Sequence, residues 1–313
     1  MAEISNESSI APATSELPLR GFLRPNRAPV AILGKSSTLA LALARVLSRC
    51  DVPVLALSRQ ECDLTKSADL TALLRDAEPS CIVNCAAITN ADDCDRHPEL
   101  CNEINGHAVG RLASACKAHN TPLVHTSCAS IFHGRYKNVH EVNDKPRPAS
   151  QHGRSKALGE LLLRRYEPQR WLLVRTSWLF GDLNRDLVGQ LLSQVSGDKP
   201  IFAADDQIGS PTFSSDLASA ILLLLVAGAT GIWHLSNRGI ATSYTFAKAV
   251  FETWQRPAVV WPCRTKQQVA DVPPSFAGIS SALDCSTTYQ RLGLRMRRWE
   301  SSLTAYSTRS KNL

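Results

Sequence analysis

The chain has 313 residues, of which 44% are hydrophobic and 20% charged, a composition typical of a folded protein with one large domain or two fused ones. Its formal net charge is +7, but the lysines and arginines are scattered along the chain, so we expect no nucleic-acid partner. The longest apolar run, residues 220–227, is too short to cross a bilayer, so we also expect no membrane partner.

The N-terminal segment and the cysteines indicate the compartment. Residues 1–28 lack apolar periodicity and the apolar core of a secretory signal, so a flexible tail is predicted there. Ten cysteines are present, none in a Cys-x-x-Cys pair. This pattern favours free thiols that pack as small apolar residues in a cytoplasmic protein, and it predicts no metal site.

Short apolar strands alternate with amphipathic helices along the chain. Strands are predicted at 29–33, 52–57, 80–84, 123–127, 171–176 and 232–235, and helices at 38–48, 70–76, 100–119, 155–166, 187–195, 215–227, 243–254 and near residue 299. Alternation of this kind predicts an α/β fold, a Rossmann-type doubly wound parallel sheet with a smaller C-terminal substrate lobe. We expect residues 29–180 to form mainly the dinucleotide-binding domain and residues 181–313 mainly the substrate-binding lobe, the two being interleaved.

The turn after the first strand is where a dinucleotide pyrophosphate would lie in such a fold, because the following helix presents free N–H groups there. The predicted contacts are Gly34, Lys35, Ser36, Ser37 and Leu39. Only the first of the usual glycines is present, since Ser37 and Ala40 stand at the other two places. An ordinary strand-to-helix turn is the alternative interpretation.

The second strand is followed by Arg59 rather than by an acidic residue. A guanidinium at this point suits a ribose 2′-phosphate, so NADP(H) is predicted in preference to NAD(H). Asp63 and Leu64 are placed to contact the adenine.

Four further stretches, taken together, resemble one family. Asn84–Thr89 is similar to Asn-Ala-Ala-Ala-x-Thr, and Arg175–Gly181 to Arg-Thr-Ser-Trp-x-Tyr/Phe-Gly. Asp206–Thr212 is similar to Asp-Gln-x-Gly-x-Pro-Thr, and Gly231–Ser236 to the strand before the last long helix. In this order they resemble the dTDP-4-dehydrorhamnose reductases, which are extended short-chain dehydrogenase/reductases.

The resemblance implies reduction of a 4-keto sugar carried on a nucleoside diphosphate. In this scheme a Tyr donates a proton, a Lys four residues later lowers its pKa, and a Ser or Thr contacts the carbonyl oxygen. Cofactor contacts are then expected at Cys85, Ala86, Ala87, Thr89, Asn105 and Lys156. Substrate contacts are expected at Ser130, Trp178, Gln207 and Thr212.

The chain departs from the family pattern at the chemical centre. His152 stands in the place of the Tyr, and Cys128, next to Ser127, stands in the place of the Ser or Thr, while Lys156 is kept. The predicted catalytic set is therefore His152, Lys156, Cys128 and Ser127. A histidine titrates near neutral pH, so it can replace the Tyr as proton donor.

Alternatives to this altered reductase remain open. The chain could be a catalytically inactive member that binds or regulates a partner, similar to the regulatory subunit of methionine adenosyltransferase. For the assembly, a homodimer and a complex with a regulatory partner are both left open. A non-redox enzyme, catalysing elimination, isomerisation or cyclisation, is a third interpretation. His152 could also serve only as a cap of the helix that carries Lys156.

Overall fold

A computed structural model describes residues 28–132, 139–182, 186–195, 199–264 and 280–310. The predicted N-terminal tail, except for residue 28, lies outside the described residues. The strands are β1 (Val30–Leu33), β2 (Val54–Leu57), β3 (Cys81–Asn84), β4 (Leu123–Cys128), β5 (Val139–His140), β6 (Trp171–Thr176), β7 (Leu179–Phe180), β8 (Ile201–Ala204), β9 (Ile208–Gly209), β10 (Thr212–Phe213), β11 (Gly231–His234), β12 (Ala241–Thr242), β13 (Val260–Cys263) and β14 (Ser280–Leu283). The α-helices are α1 (Thr38–Arg49), α2 (Ser67–Asp76), α3 (Ala91–Arg96), α4 (Pro98–Asn102), α5 (Ala108–Ala118), α6 (Gln151–Tyr166), α7 (Leu187–Ser193), α8 (Ser214–Val226), α9 (Ser243–Thr253), α10 (Ser286–Leu292) and α11 (Trp299–Ser310).

Six strands form one parallel sheet in the order β11-β6-β4-β3-β1-β2. The prediction of a doubly wound α/β fold is therefore confirmed. The chain runs from β1 outward to β2 and then crosses back to β3 on the other side of β1. This reversal leaves a crevice at the carboxyl ends of β1 and β3, which is where open parallel sheets bind ligands.

The sheet is covered on both faces, as its apolar strands require. Val30 and Ile32 of β1 point into a core shared with α1 and α8. Ala31 and Leu33 point the opposite way, toward α2, α5 and α6. Because the side chains of β1 alternate between two cores, no residue of this strand is exposed.

The long helix predicted at 100–119 is interrupted. Helices α4 and α5 are joined by a π-helical turn, Glu103–His107, whose wider spacing places Asn105 toward the sheet. The Asn105 amide bonds to both backbone groups of Ile88, at 2.8 Å each. A π-turn of this kind often accompanies a functional site, and here it anchors the loop after β3.

The expectation that all cysteines are free thiols is wrong for one pair. Cys94 of α3 and Cys101 of α4 form a disulfide with a Cα–Cα distance of 5.4 Å, in the usual range for such a bond. The two short helices fold against each other and bring these residues together, which the sequence spacing alone does not indicate. The other eight cysteines are free, and Cys81 and Cys116 are fully buried.

Elements from the second half of the chain enclose a separate aromatic cluster. Phe180 and Phe213 stack with ring centroids 5.6 Å apart, and Tyr306 of α11 packs against both. Phe246 and Trp299 complete the cluster. Across the described segments, no helix combines the length and apolarity needed to span a membrane.

A buried ion pair joins the sheet to α6. Arg175 of β6 donates from Nε to Glu160 Oε1 at 3.0 Å and from Nη2 to Glu160 Oε2 at 2.7 Å. Arg175 also donates from Nη1 to the Val142 carbonyl at 3.0 Å. The two charged residues are 1% and 2% exposed, so each depends on the other for compensation of its charge.

We therefore predict that Glu160→Gln lowers the free energy of unfolding by about 3–5 kcal/mol, because it leaves a buried guanidinium without a counter-charge. Urea denaturation followed by circular dichroism measures the change. Asp76→Asn is the matched control, since it removes a carboxylate from the exposed Arg75 pair and should hardly move the midpoint. Equal shifts in the two variants would contradict the prediction.

Candidate cofactor and substrate site

A cavity of about 970 Å³ runs along the carboxyl edge of the sheet, from the first turn to the ends of β4 and β6. It brings together most of the residues selected from the sequence. Those that line it are Gly34, Ser36, Ser37, Leu39, Arg59, Asp63, Leu64, Cys85, Ala86, Ala87, Thr89, Ser127, Cys128, Ser130, His152, Lys156 and Trp178. Four others lie outside its wall, namely Lys35, Asn105, Gln207 and Thr212.

The first turn is built for close approach. Gly34 has φ +83°, and a Cβ there would lie 2.8 Å from both the N and the Cα of Ala86. Ser37 caps α1, with its Oγ accepting from the N–H of Ala40 at 3.2 Å. The turn thus keeps the single glycine that it needs and aims the N-terminus of α1 at the cavity, an arrangement that fits a dinucleotide pyrophosphate.

Charged groups surround the end of β2. Glu61 Oε2 lies 2.6 Å from Lys35 Nζ and accepts from the N–H and the hydroxyl of Ser58. These bonds, that of Lys35 first, lower the pKa of Glu61 to about 2. Arg59 Nε lies 3.4 Å from Asp63 Oδ2. Sequence reasoning selected Lys35, Arg59 and Asp63 but missed Glu61, whose only signal was an acidic side chain just after the second strand.

Asp63 stabilises its own turn, in addition to any contact that it makes with an adenine. Its Oδ1 accepts from the N–H of Thr65 at 3.0 Å and from the Thr65 hydroxyl at 2.8 Å. These bonds lower the pKa of the Asp63 carboxyl. The carboxylate therefore fixes the turn that carries Leu64 into the cavity wall.

The loop after β3 is fixed from behind. Asn84 Oδ1 accepts from the N–H of Ala86 at 3.0 Å, and Asn105 holds Ile88 from the opposite side. Asn105 Nδ2 also lies 3.0 Å from Ser155 Oγ, on the helix that carries Lys156. Asn105 thus positions the loop that lines the cavity and is linked to α6.

Burial controls the protonation of the two residues on α6. Lys156 is 4% exposed and donates from Nζ to the Thr126 carbonyl at 2.6 Å, and burial lowers its pKa. Burial, reinforced by the charge of Lys156, lowers the pKa of His152 to about 4. His152 is therefore neutral near pH 7. It is not the cap of α6, because Ser150 accepts from the N–H of Gly153 in that role.

Three further side chains stand at the ends of β4 and β6. Burial raises the pKa of Cys128, so it carries a thiol rather than a thiolate. The hydroxyls of Ser127 and Thr176 are buried in the cavity wall and have no hydrogen-bond partner within the described part of the chain. Buried hydroxyls are normally bonded, so each of these two has an unused hydrogen-bonding capacity beside the cavity. Thr176 was not predicted from the sequence, because it belongs to a strand whose residues are expected to be buried.

Trp178 forms the far wall. Its φ of +41° lies in the left-handed region, which is strained for a residue with a large side chain. Gly209 makes room for the ring, since a Cβ there would lie 2.2 Å from Trp178 Cε2. Behind this wall, Gln207 accepts from the N–H of Ser243, and Thr212 donates to the Ser210 carbonyl. Neither residue is among those that line the cavity.

In the segments that the structure covers, no group of three or more His, Cys, Asp or Glu side chains is arranged to hold a metal ion. The chemistry available at the site is that of hydroxyls, a thiol, a neutral imidazole and a buried ammonium group.

Comparison with known proteins identifies the family. A family model described as the RmlD substrate binding domain matches residues 28–312. The chain is 32% identical over 257 residues to a dTDP-4-dehydrorhamnose reductase of Mycolicibacterium smegmatis, covering 80% of this chain and 78% of that protein. It is also similar to the crystal structure of a dTDP-4-dehydrorhamnose reductase of Clostridium acetobutylicum, with a TM-score of 0.85 and 26% identity over 90% of this chain and 99% of the other.

A second solved structure is the dTDP-4-dehydrorhamnose reductase of Bacillus anthracis in complex with NADP. It has a TM-score of 0.84 and 25% identity, covering 90% of this chain and 99% of that one. The resemblance seen in the sequence motifs is thereby confirmed. The chain belongs to the dTDP-4-dehydrorhamnose reductase family, whose RmlD substrate binding domain model it matches over nearly its whole length.

Proposed function

We propose that this protein is an NADP(H)-dependent reductase of a nucleotide-linked 4-keto sugar, in which His152 stands in the place of the usual tyrosine. One observation carries the proposal: a single cavity joins the glycine turn after β1 to His152 and Lys156. The NADP complex of the Bacillus anthracis relative supports the choice of cofactor.

The residues of the first turn and of the end of β2 would hold the cofactor. Gly34 and Ser37 suit the pyrophosphate, and Arg59, with Lys35 beside it, suits a 2′-phosphate. When bound, the nicotinamide of NADPH supplies a hydride to the ketone. Ala86 and Ala87 leave room for the cofactor along the loop after β3, because their side chains are small.

The side chains at the end of β4 and at the start of α6 would then supply one proton and stabilise the negative charge that develops on the carbonyl oxygen. The hydroxyls of Ser127 and Thr176, which lack partners in the described part of the chain, would donate to the carbonyl oxygen, and the Lys156 ammonium would favour the negative charge there. Neutral His152 has one N–H and one acceptor nitrogen. It can pass a proton to the substrate oxygen while taking one from Lys156 Nζ, one turn further along α6.

A second candidate function is binding without catalysis. It is favoured by one observation: in the described part of the chain, no tyrosine lines the cavity, and a neutral imidazole is a weaker acid than the usual phenol beside a lysine. Such a protein would bind the cofactor and the sugar nucleotide but would not consume NADPH. A non-redox enzyme would form product without net oxidation of NADPH.

The first test is NADPH oxidation with dTDP-4-dehydrorhamnose as substrate, followed by absorbance. We expect substrate-dependent loss of NADPH, and a fall in kcat of about a hundredfold in His152→Ala, the usual contribution of a proton donor. His152→Tyr should raise kcat, because a phenol next to Lys156 is the stronger acid. His119→Ala, which alters an exposed histidine directly after α5, is the control.

The outcomes separate the candidate functions. Tight NADPH binding in calorimetry without oxidation, by the natural chain and by His152→Ala alike, would favour the binding protein. Product formed without loss of NADPH would indicate the non-redox enzyme. If neither NADPH nor NADH binds, the proposed reductase is wrong.

The second test is the pH profile of kcat/KM. Because the pKa of His152 is about 4, the imidazole is neutral above that pH and becomes charged as the pH falls through it. We expect kcat/KM to stay flat from roughly pH 6 to 8 and to fall in acid. It should also fall in alkali, earlier than for an ordinary lysine, because burial lowers the pKa of Lys156. A rise of about tenfold per pH unit on acidification would instead mean that protonated His152 is the acid.

A further inference from the structure

One carboxylate oxygen collects three donors at the carboxyl end of β2. Glu61 Oε2 lies 2.6 Å from Lys35 Nζ, 2.8 Å from the Ser58 backbone N and 2.6 Å from Ser58 Oγ. The side chain of Glu61 is 45% exposed, so it stands at the rim and not in the interior.

These donors have a fixed place relative to the cavity. The backbone N–H groups of Gly34 and Lys35 both donate to the Leu57 carbonyl, at 2.9 and 3.1 Å, so the first turn and the end of β2 are held side by side. Ser58 and Arg59 line the cavity next to this junction. In a dinucleotide-binding sheet, the end of the second strand is where the adenosine ribose is recognised.

The three donors that hold Glu61 are those that a phosphate group attracts. A phosphate offers several strong acceptor oxygens and binds to ammonium, backbone N–H and hydroxyl groups. A 2′-phosphate at this ribose would therefore seek the same partners that the carboxylate already has. A 2′-hydroxyl, by contrast, can donate a hydrogen bond to a carboxylate, as the acidic residue of NAD-binding folds does.

The charges around the end of β2 also indicate that a 2′-phosphate would have to compete with carboxylates that are already in place. Lys35 and Arg59 are each paired with a carboxylate, Glu61 and Asp63, so the two cations face an incoming phosphate already neutralised. Asp63 is also held by Thr65, whereas the three bonds of Glu61 Oε2 all come from groups of the kind that a 2′-phosphate would seek. Glu61 is ionised throughout the working pH range, because its pKa is lowered to about 2.

We infer that Glu61 is a specificity-determining residue, whose carboxylate competes with the cofactor's 2′-phosphate for Lys35 and Ser58 and so holds down the preference for NADP(H) over NAD(H). The inference rests on the proposed function, since it concerns how that same cofactor is chosen. The exposed side chain can turn into solvent when a phosphate arrives, and the repulsion between two anions then lowers the affinity.

Isothermal calorimetry with Glu61→Gln tests the inference without any need for turnover. The variant keeps the shape of the side chain but lacks the charge, so the Kd for NADPH and for adenosine 2′,5′-bisphosphate should fall by roughly tenfold. The Kd for NADH and for adenosine 5′-monophosphate should stay the same or rise. Glu252→Gln, which removes the same charge from an exposed position on α9, should leave all four constants unchanged.

A second variant tests the donor Lys35 separately from the competing carboxylate of Glu61. Lys35→Ala should weaken NADPH and leave NADH nearly unchanged, because it removes the cation that both anions seek. A thermal melt confirms that each variant is folded, as expected for exposed residues.

Two results would overturn the inference while leaving the proposed function intact. The first is an unchanged ratio of the NADPH and NADH constants in Glu61→Gln. The second is weaker NADPH binding in that variant, which would mean that Glu61 organises the phosphate site instead of competing for it. If the natural chain and the variant both fail to bind either dinucleotide, the proposed function and the inference fall together.

Discussion

The buried ion pair between Arg175 and Glu160 determines where the candidate chemistry takes place. Arg175 belongs to a strand of the central sheet, and Glu160 lies one turn after Lys156 on α6. Two charges that are almost wholly buried can only be tolerated in a narrow range of geometries. The pair therefore fixes α6 against β6, and Lys156 then reaches the Thr126 carbonyl at the end of β4.

The same helix connects the chemical centre with the cofactor loop. Ser155 precedes Lys156 and lies 3.0 Å from the amide nitrogen of Asn105, which in turn holds Ile88 by its N–H and its carbonyl. A shift of α6 would thus disturb the ammonium group and the loop after β3 together. This coupling explains why Asn105 can matter to the site although it does not line the cavity.

The sequence predicts the fold well and the site less completely. Apolar strands such as Val30–Leu33 and the periodic helices between them are local signals, so the parallel sheet and most helix positions follow from them. The disulfide between Cys94 and Cys101 and the π-turn at Asn105 depend on how neighbouring segments pack, and no local pattern carries them. Glu61 and Thr176 were not predicted either, because the role of Glu61 depends on Lys35, 26 residues earlier, and that of Thr176 on its place beside the cavity.

The positions at which the site departs from the family pattern are those that face the cavity, whereas residues that hold the fold together are kept. Residues with many protein partners, such as Arg175, Glu160 and Asn105, would leave buried polar groups unbonded if they were replaced, at a cost of several kcal/mol in total. Cys128 and His152 face the cavity instead, and Ser150 rather than His152 caps α6. Their identities can therefore change while the fold is kept. Because Lys156 is held by the Thr126 carbonyl, a buried ammonium group remains at the centre whichever side chain stands at position 152.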